Sequence, residues 1–216
     1  MKDYTAGKAW KIAKQQRILE AAFSLFASRG IEMVTMPEVA EASGVARATL
    51  YRYFTTKLDL VVAVGTWKWE EYIKSYDAHL SEEDWDRMTG ADYVRHLLNG
   101  FLDLYRNHGD ILRFNYNFNS YLRYELGSSE QKAPYINMME WLGKRFHEFY
   151  ERGMEDGTLR TDISEVAIFS STFHIMLATV TRYAVGLVYV LEKGSEPEKE
   201  LVMLRDLLES RFVKEA

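Results

Sequence analysis

With 216 residues, 47% hydrophobic and 27% charged, the chain can bury a sizeable core and falls outside the disordered class. Three prolines and 13 glycines are too few for the turns of a sandwich or barrel, and the absence of cysteine removes disulfides and thiolate metal ligands. The net charge of −5 disfavours polyanion binding overall, but it is unevenly spread: residues 1–57 hold nine Lys or Arg against five Asp or Glu, the remainder 18 against 27.

The first 13 residues read as a polar, basic arm without the apolar run of a secretory signal, compatible with a cytoplasmic protein. Ile18, Leu19, Ala22, Phe23, Leu25 and Phe26 then recur at helical spacing until Gly30, which marks a glycine-capped end. Thr35-Met36-Pro37-Glu38 reads as a capping box with Pro37 in the first turn, where its missing N–H costs little. The short helix that follows, through Val39, Ala40 and Ala42, stops at Ser43-Gly44-Val45, and another runs from about Ala46 to Phe54. Two short helices joined at a glycine are a helix-turn-helix signature.

Beyond Lys57 the helices lengthen. Leu58 to about Tyr76 presents Leu60, Val61, Val64, Trp67 and Tyr72 on one side, and the acidic Ser81-Glu82-Glu83-Asp84 reads as a helix N-terminus in preference to a metal site. Ala91 to about His108 is helical. Phe114 to Phe118 alternates with period two, but no partner strand is apparent and the stretch is read as helix. Leu126 to Pro134 is the clearest loop, and Tyr135 to about Met154 is another amphipathic helix. After a break at Gly157 to Thr161, Asp162 and Glu165 offer a capping box that opens a long apolar helix to Leu191. Because it is apolar on nearly every side, that helix is expected to be buried from every side. His174 and Arg182 interrupt it, so it does not read as a membrane span. Lys193 to Pro197 turns the chain into a last helix with Leu201, Leu204, Leu208 and Phe212 as its apolar stripe. The expected fold is all-α, about nine helices, with a head over 1–57 and a body over 58–216.

The stretch from Gly30 to Leu60 resembles the DNA-binding signature of the TetR family of transcriptional regulators. The likeness rests on Gly30, Thr35, Val39-Ala40, Gly44-Val45, Thr49-Leu50-Tyr51, Tyr53-Phe54, Lys57 and Leu60 at fixed spacing, and it covers residues 14–62 well. It implies a homodimer that binds double-stranded operator DNA and answers to a small-molecule effector. One departure is Ala46, where the family often has Ser or Thr, so that a helix-capping oxygen is missing.

Helical geometry assigns roles independently. Leu50 and Phe54 lie four apart and should pack the third helix inward, while Ala48, Thr49, Tyr51 and Arg52 face the other way with Arg47 and Tyr53 on the flanks. Arg47 is the candidate base reader, since a guanidinium can donate twice to guanine. The resemblance implies phosphate contacts for Thr49, Tyr53 and Lys57, and Thr35 is a further candidate at the second helix. Tyr51 could meet a thymine methyl or the sugar-phosphate backbone. Lys2, Lys8, Lys11 and Lys14 read equally as a DNA-contacting arm or a solvated tail.

The sequence offers no phosphate-cradling glycine loop, no nucleophile elbow and no zinc-protease motif, so catalytic residues, cofactors and metals are all expected to be none. His174 is expected to be a satisfied core histidine more often than a ligand contact. Fourteen Tyr, 11 Phe and five Trp, most beyond residue 60, suggest a ligand cavity. Its candidate lining is Phe114, Tyr116, Phe118, Tyr121, Trp141, Phe173, His174 and Tyr183, with an apolar or aromatic ligand that releases a repressor from DNA. Docking of a protein partner is the alternative for this body. The dimer is expected to form through Asp162 to Leu191 and Pro197 to Val213, with Val180 and Leu187 at the contact.

Overall fold

A computed structural model describes residues 2–125, 127–187 and 196–214, with side chains from Trp10 onward. The helices run in the order α1 (Lys2–Arg29), α2 (Met36–Ala42), α3 (Arg47–Tyr53), α4 (Lys57–Asp77), α5 (Glu82–Arg87), α6 (Gly90–Asn107), α7 (Gly109–Tyr124) and α8 (Ser129–Glu155). Then come α9 (Glu165–Ser171), a π-helical stretch (Thr172–Leu177), α10 (Ala178–Ala184) and α11 (Pro197–Phe212). Since α9 to α10 is continuous, the described residues form ten helical stretches where about nine were expected. The only extended pairing among the described residues is an isolated antiparallel bridge between Leu159 and Val213. None of the helices described is long and apolar enough to cross a membrane.

Several boundaries differ from the sequence reading. The expected polar arm is the first part of α1, and Lys2 and Lys8 lie outside the described side chains. The expected loop up to Pro134 is shorter: α8 starts at Ser129 and holds Pro134 within its second turn. There the ring forfeits a single bond to the carbonyl one turn back. The signal for this start is a Ser128–Gln131 capping box, in which Ser128 N–H donates to Gln131 Oε1 at 3.2 Å and Gln131 N–H to Ser128 Oγ at 3.2 Å. At α9 the cap is Ser164, which accepts from the Ala167 amide, and not Asp162. Asp162 is taken by Arg160, with two bonds of 2.9 Å, so its carboxyl is held down at about 2. The long apolar helix ends at Ala184, seven residues early, because Gly186 turns the chain with φ +74°. Leu191 and Lys193 lie outside the described residues.

The period-two stretch Phe114 to Phe118 is helical within α7, and both terminal rings are fully buried. Ser81 caps α5 through a box with Asp84, as the acidic cluster suggested.

Compactness divides the chain into Met1–Tyr72 with Arg113–Met138, and Ile73–Leu112 with Met139–Ala216. This differs from a boundary at Lys57 because the first unit gathers one aromatic core from distant segments. Phe114 lies 5.6 Å from Phe23 and 5.4 Å from Phe118, and Phe118 meets Tyr135 edge-on at 4.9 Å. Gly65 of α4 makes room for this stack, since a Cβ there would fall 2.7 Å from the Phe118 ring.

In the second unit, Tyr93 stacks on Phe149 at 4.1 Å, and Phe169 bridges Phe146 and Phe173 at 5.1 and 4.6 Å. Beside them Asp77 places one oxygen 2.8 Å from His96 Nε2 and accepts from Arg145 at 2.7 Å with the other. Burial pushes the Asp77 carboxyl up, but these two bonds outweigh it and leave it below its ordinary value. The Arg145 guanidinium in turn lies 4.3 Å from the centre of the Trp85 ring, so one half-buried charge is met by a carboxylate and a π face.

Candidate nucleic-acid interface

The head is built from local rules that can be followed residue by residue. Gly30, at φ +84°, ends α1, and Arg29 reaches forward to Glu38 at 2.8 Å. Thr35 caps α2: its amide donates to Glu38 Oε2 at 2.7 Å while the Glu38 amide returns a bond to Thr35 Oγ1 at 3.4 Å. These bonds from Thr35, with the Arg29 guanidinium, hold the Glu38 carboxyl at about 2. Gly44 takes φ +65°, a conformation open to glycine without a Cβ penalty, and sends the chain into α3.

Ala46 precedes α3 with no side-chain bond, as its methyl group requires. Within α3, Leu50 is fully buried and Phe54 is buried at the C-cap, so the helix is pinned by its inner face. Arg47, Ala48, Tyr51 and Arg52 are exposed, and Thr49 and Tyr53 are half-buried on the flanks. Helical spacing thus separated the inner face from Ala48, Tyr51 and Arg52, but it exchanged Arg47, expected on a flank and exposed, with Thr49, expected to face outward and half-buried. Thr35, also exposed, spends its hydroxyl inside the capping box.

Two flanking residues are anchored by contacts that the sequence does not announce. The Tyr53 hydroxyl donates to the Lys11 carbonyl at 3.4 Å. Lys57 donates to the Glu32 carbonyl at 3.2 Å, with its ammonium 5.7 Å from the centre of the Tyr121 ring. Burial lowers the Lys57 pKa, and the carboxylates of Glu32, Glu125 and Glu38 oppose that shift. The sequence reading missed Arg29, whose guanidinium holds Glu38, and the Ser128-x-x-Gln131 box, which was a readable signal.

The eight candidate ligand residues divide between the two units. Phe114, Phe118 and Tyr121 are buried in the first, where Phe114 and Phe118 belong to the aromatic core and burial pushes the Tyr121 hydroxyl up to about 12. Tyr116 in the same unit is exposed. In the second unit Trp141 is exposed, and Phe173 packs edge-on against Phe101 at 5.4 Å. Tyr183 donates to the Glu200 carboxylate, which raises its pKa. His174 is exposed and not the core histidine expected, because its side of the π-helical stretch faces outward. A cleft of about 490 Å³ lies in the first unit among Leu19, Asp59, Trp67, Glu70 and Gln131, and none of the eight lines it.

A three-helix head with a glycine-turned recognition helix, joined to further helices, defines a helix-turn-helix protein. Residues 18–64 match the model of the bacterial regulatory proteins of the tetR family. Over this segment the chain is similar to the DNA-binding region of that family. Among curated relatives, the HTH-type transcriptional repressor KstR of Rhodococcus jostii is 46% identical over 50 residues, 23% of this chain and 24% of KstR. Curated relatives at 44–46% identity are matched over only 24–28% of their length. Solved structures extend the likeness in fold. A TetR transcription regulator from Haloarcula marismortui aligns with TM-score 0.71 at 18% identity, covering 94% of this chain and 99% of that one. FadR from Bacillus subtilis in complex with stearoyl-CoA aligns with TM-score 0.65 at 18% identity, covering 91% and 98%.

Proposed function

We propose that this chain is a dimeric, sequence-specific DNA-binding regulator, a repressor that leaves a palindromic operator when a small apolar or aromatic ligand binds. The observation that carries the reading is α3 itself: Leu50 is wholly inside, while Arg47, Ala48, Tyr51 and Arg52 stand free on the opposite face. Such a face can enter a major groove, with Arg47 near the helix N-terminus reading a base edge. Thr49, Tyr53 and Lys57 flank it as phosphate contacts, and Thr35 adds a contact at the start of α2.

Dimerisation is supported by apolar side chains that one chain leaves uncovered. Val166 on α9 is 72% exposed, and Met203 and Leu207, one turn apart on α11, are each 59% exposed. Pairing this surface with a second copy would build the four-helix contact expected from the sequence. Val180, by contrast, is fully buried within its own chain, so it serves the core and Leu187 alone of that pair remains available. Ligand response is supported by unmet hydrogen-bonding capacity in the first unit. Asn115 is only 2% exposed and its Oδ1 has no partner, and the buried Trp69 Nε1 has none either. Buried polar atoms without partners are rare, and a ligand is one way to satisfy them. The stearoyl-CoA complex of FadR is consistent with an apolar effector.

The test is selection of bound duplexes from a random pool, followed by a compound screen against the selected sequence. The expected product is a palindrome whose half-sites lie about one helical turn apart or a multiple of it. No enrichment over input at low salt would overturn the DNA reading. Enrichment with no releasing compound would shift the body's role to a protein partner.

A further inference from the structure

We propose that Gln131 is a positioning residue for DNA binding: its side-chain amide ties the first turn of α8 to the first turn of α4, and so sets where Lys57 stands. The proposal rests on reading α3 and Lys57 as the DNA-facing elements.

The first turn of α4 is closed by its own capping box. Thr56 N–H donates to Asp59 Oδ2 at 2.8 Å, and Asp59 N–H donates to Thr56 Oγ1 at 3.1 Å. Lys57 sits inside that turn, three residues beyond Phe54, the C-cap of α3. The first turn of α8 is closed in the same manner by Ser128 and Gln131. Gln131 uses only its oxygen for this. Its Nε2 donates to Asp59 Oδ1 at 2.8 Å and to Thr56 Oγ1 at 3.3 Å, joining residues 72 and 75 apart in sequence. One amide thus completes one capping box and clasps another. The reverse orientation of the amide would set an oxygen against the Asp59 carboxylate, so the acceptor fixes which end points where.

The surroundings hold the two turns in register. A Cβ at Gly127 would fall 2.1 Å from Leu58 Cδ2, so the turn before α8 lies directly on α4. Lys132 donates to the carbonyls of Leu122 at 3.2 Å and Glu125 at 3.1 Å, tying the same turn to the end of α7. Tyr121 of α7 lies under the Lys57 ammonium. Asp59 and Gln131 also line the open 490 Å³ cleft, so water reaches the clasp and its contribution to stability is small. What it controls is geometry: a shift of the first turn of α8 moves Thr56 and Asp59, and Lys57 with them.

The experiment measures binding of the selected duplex by the full chain at several salt concentrations, with melting temperature as a parallel readout. Gln131→Ala is expected to bind roughly five-fold more weakly with a flatter salt dependence and little change in melting. Gln131→Glu should bind more weakly still, because its carboxylate would face Asp59. Combining Gln131→Glu with Asp59→Asn exchanges acceptor and donor and should restore affinity to within about two-fold of the parent. In a Lys57→Ala background, Gln131→Ala should have little further effect. Affinity losses that follow melting temperature, persist without the Lys57 ammonium and are not rescued by the exchange would overturn the proposal. Equal binding by parent and Gln131→Ala would overturn it while leaving the DNA reading intact, whereas a parent that binds no duplex overturns both.

Discussion

Replacing Gly90 by Ala should destabilise the protein severely for so small a change. Gly90 opens α6, and a Cβ there would lie 2.3 Å from Gly153 Cα, 2.7 Å from Gly153 N and 2.8 Å from the Phe149 carbonyl oxygen. All three atoms are backbone of α8, so no rotamer change relieves the contact, and α6 and α8 must part by roughly 1 Å to reach van der Waals distance. The start of α6 cannot yield freely either. Its Gly90 amide donates to Asp156 at 3.2 Å and its Ala91 amide to Thr158 at 3.1 Å. Overpacking of this kind costs about 1–3 kcal/mol, and the rigid neighbours place Gly90→Ala at the upper end. For a chain of this length, about 3 kcal/mol lowers the melting temperature by roughly 6–12 °C. The control lies on α8: a Cβ at Gly143 meets nothing within 4 Å. Gly143→Ala should therefore gain up to about 1 kcal/mol from helix propensity and melt slightly higher than the parent. Calorimetry or thermal circular dichroism reads both variants. If Gly90→Ala melts within about 2 °C of the parent, where a shift of roughly 6–12 °C is expected, the close α6–α8 contact is not the constraint argued for.

Arg47→Ala should relax specificity at one base of the selected duplex at a cost of roughly 1–3 kcal/mol, and identical affinity of variant and parent for every sequence would refute the assignment. Lys57→Ala should weaken all sequences alike and reduce the log–log salt slope by about one. Met203→Glu combined with Leu207→Glu should give a folded monomer in sedimentation, whereas a stable variant dimer would place the interface elsewhere. The Glu38 carboxyl, held at about 2 in the folded chain against its ordinary 4.5, stabilises the fold above that ordinary value, and this stabilisation is lost as the pH falls through 4.5 towards 2. The urea midpoints of the parent and Glu38→Gln should accordingly differ near neutrality and converge on acidification; a gap that widens in acid contradicts the capping box as its source.

The head was legible in the sequence because its determinants are neighbours along the chain. Thr35 caps the amide three residues on, Gly44 supplies a positive φ where a turn needs one, and Leu50 and Phe54 share a face by helical spacing alone. The body was less legible where two local solutions compete. Asp162 and Ser164 are both good N-caps, and the choice went to Ser164 because Arg160 occupies the Asp162 carboxylate. Pro134 read as a stop although a proline this close to a helix start forfeits one bond only, and it hid the Ser128–Gln131 box. Gly186, whose φ is +74°, ended a helix that apolar composition alone would have extended.

By itself, then, the sequence determined an all-helical chain, a helix-turn-helix head and the outward placing of Ala48, Tyr51 and Arg52, since helix periodicity and caps act over three or four residues. Only the tertiary structure decided that Phe114 and Phe118 are core, that His174, Val166 and Trp141 face out, and that Gln131 meets Asp59. Periodicity shows that a helix has an apolar face but not which element covers it; that depends on packing between segments tens of residues apart.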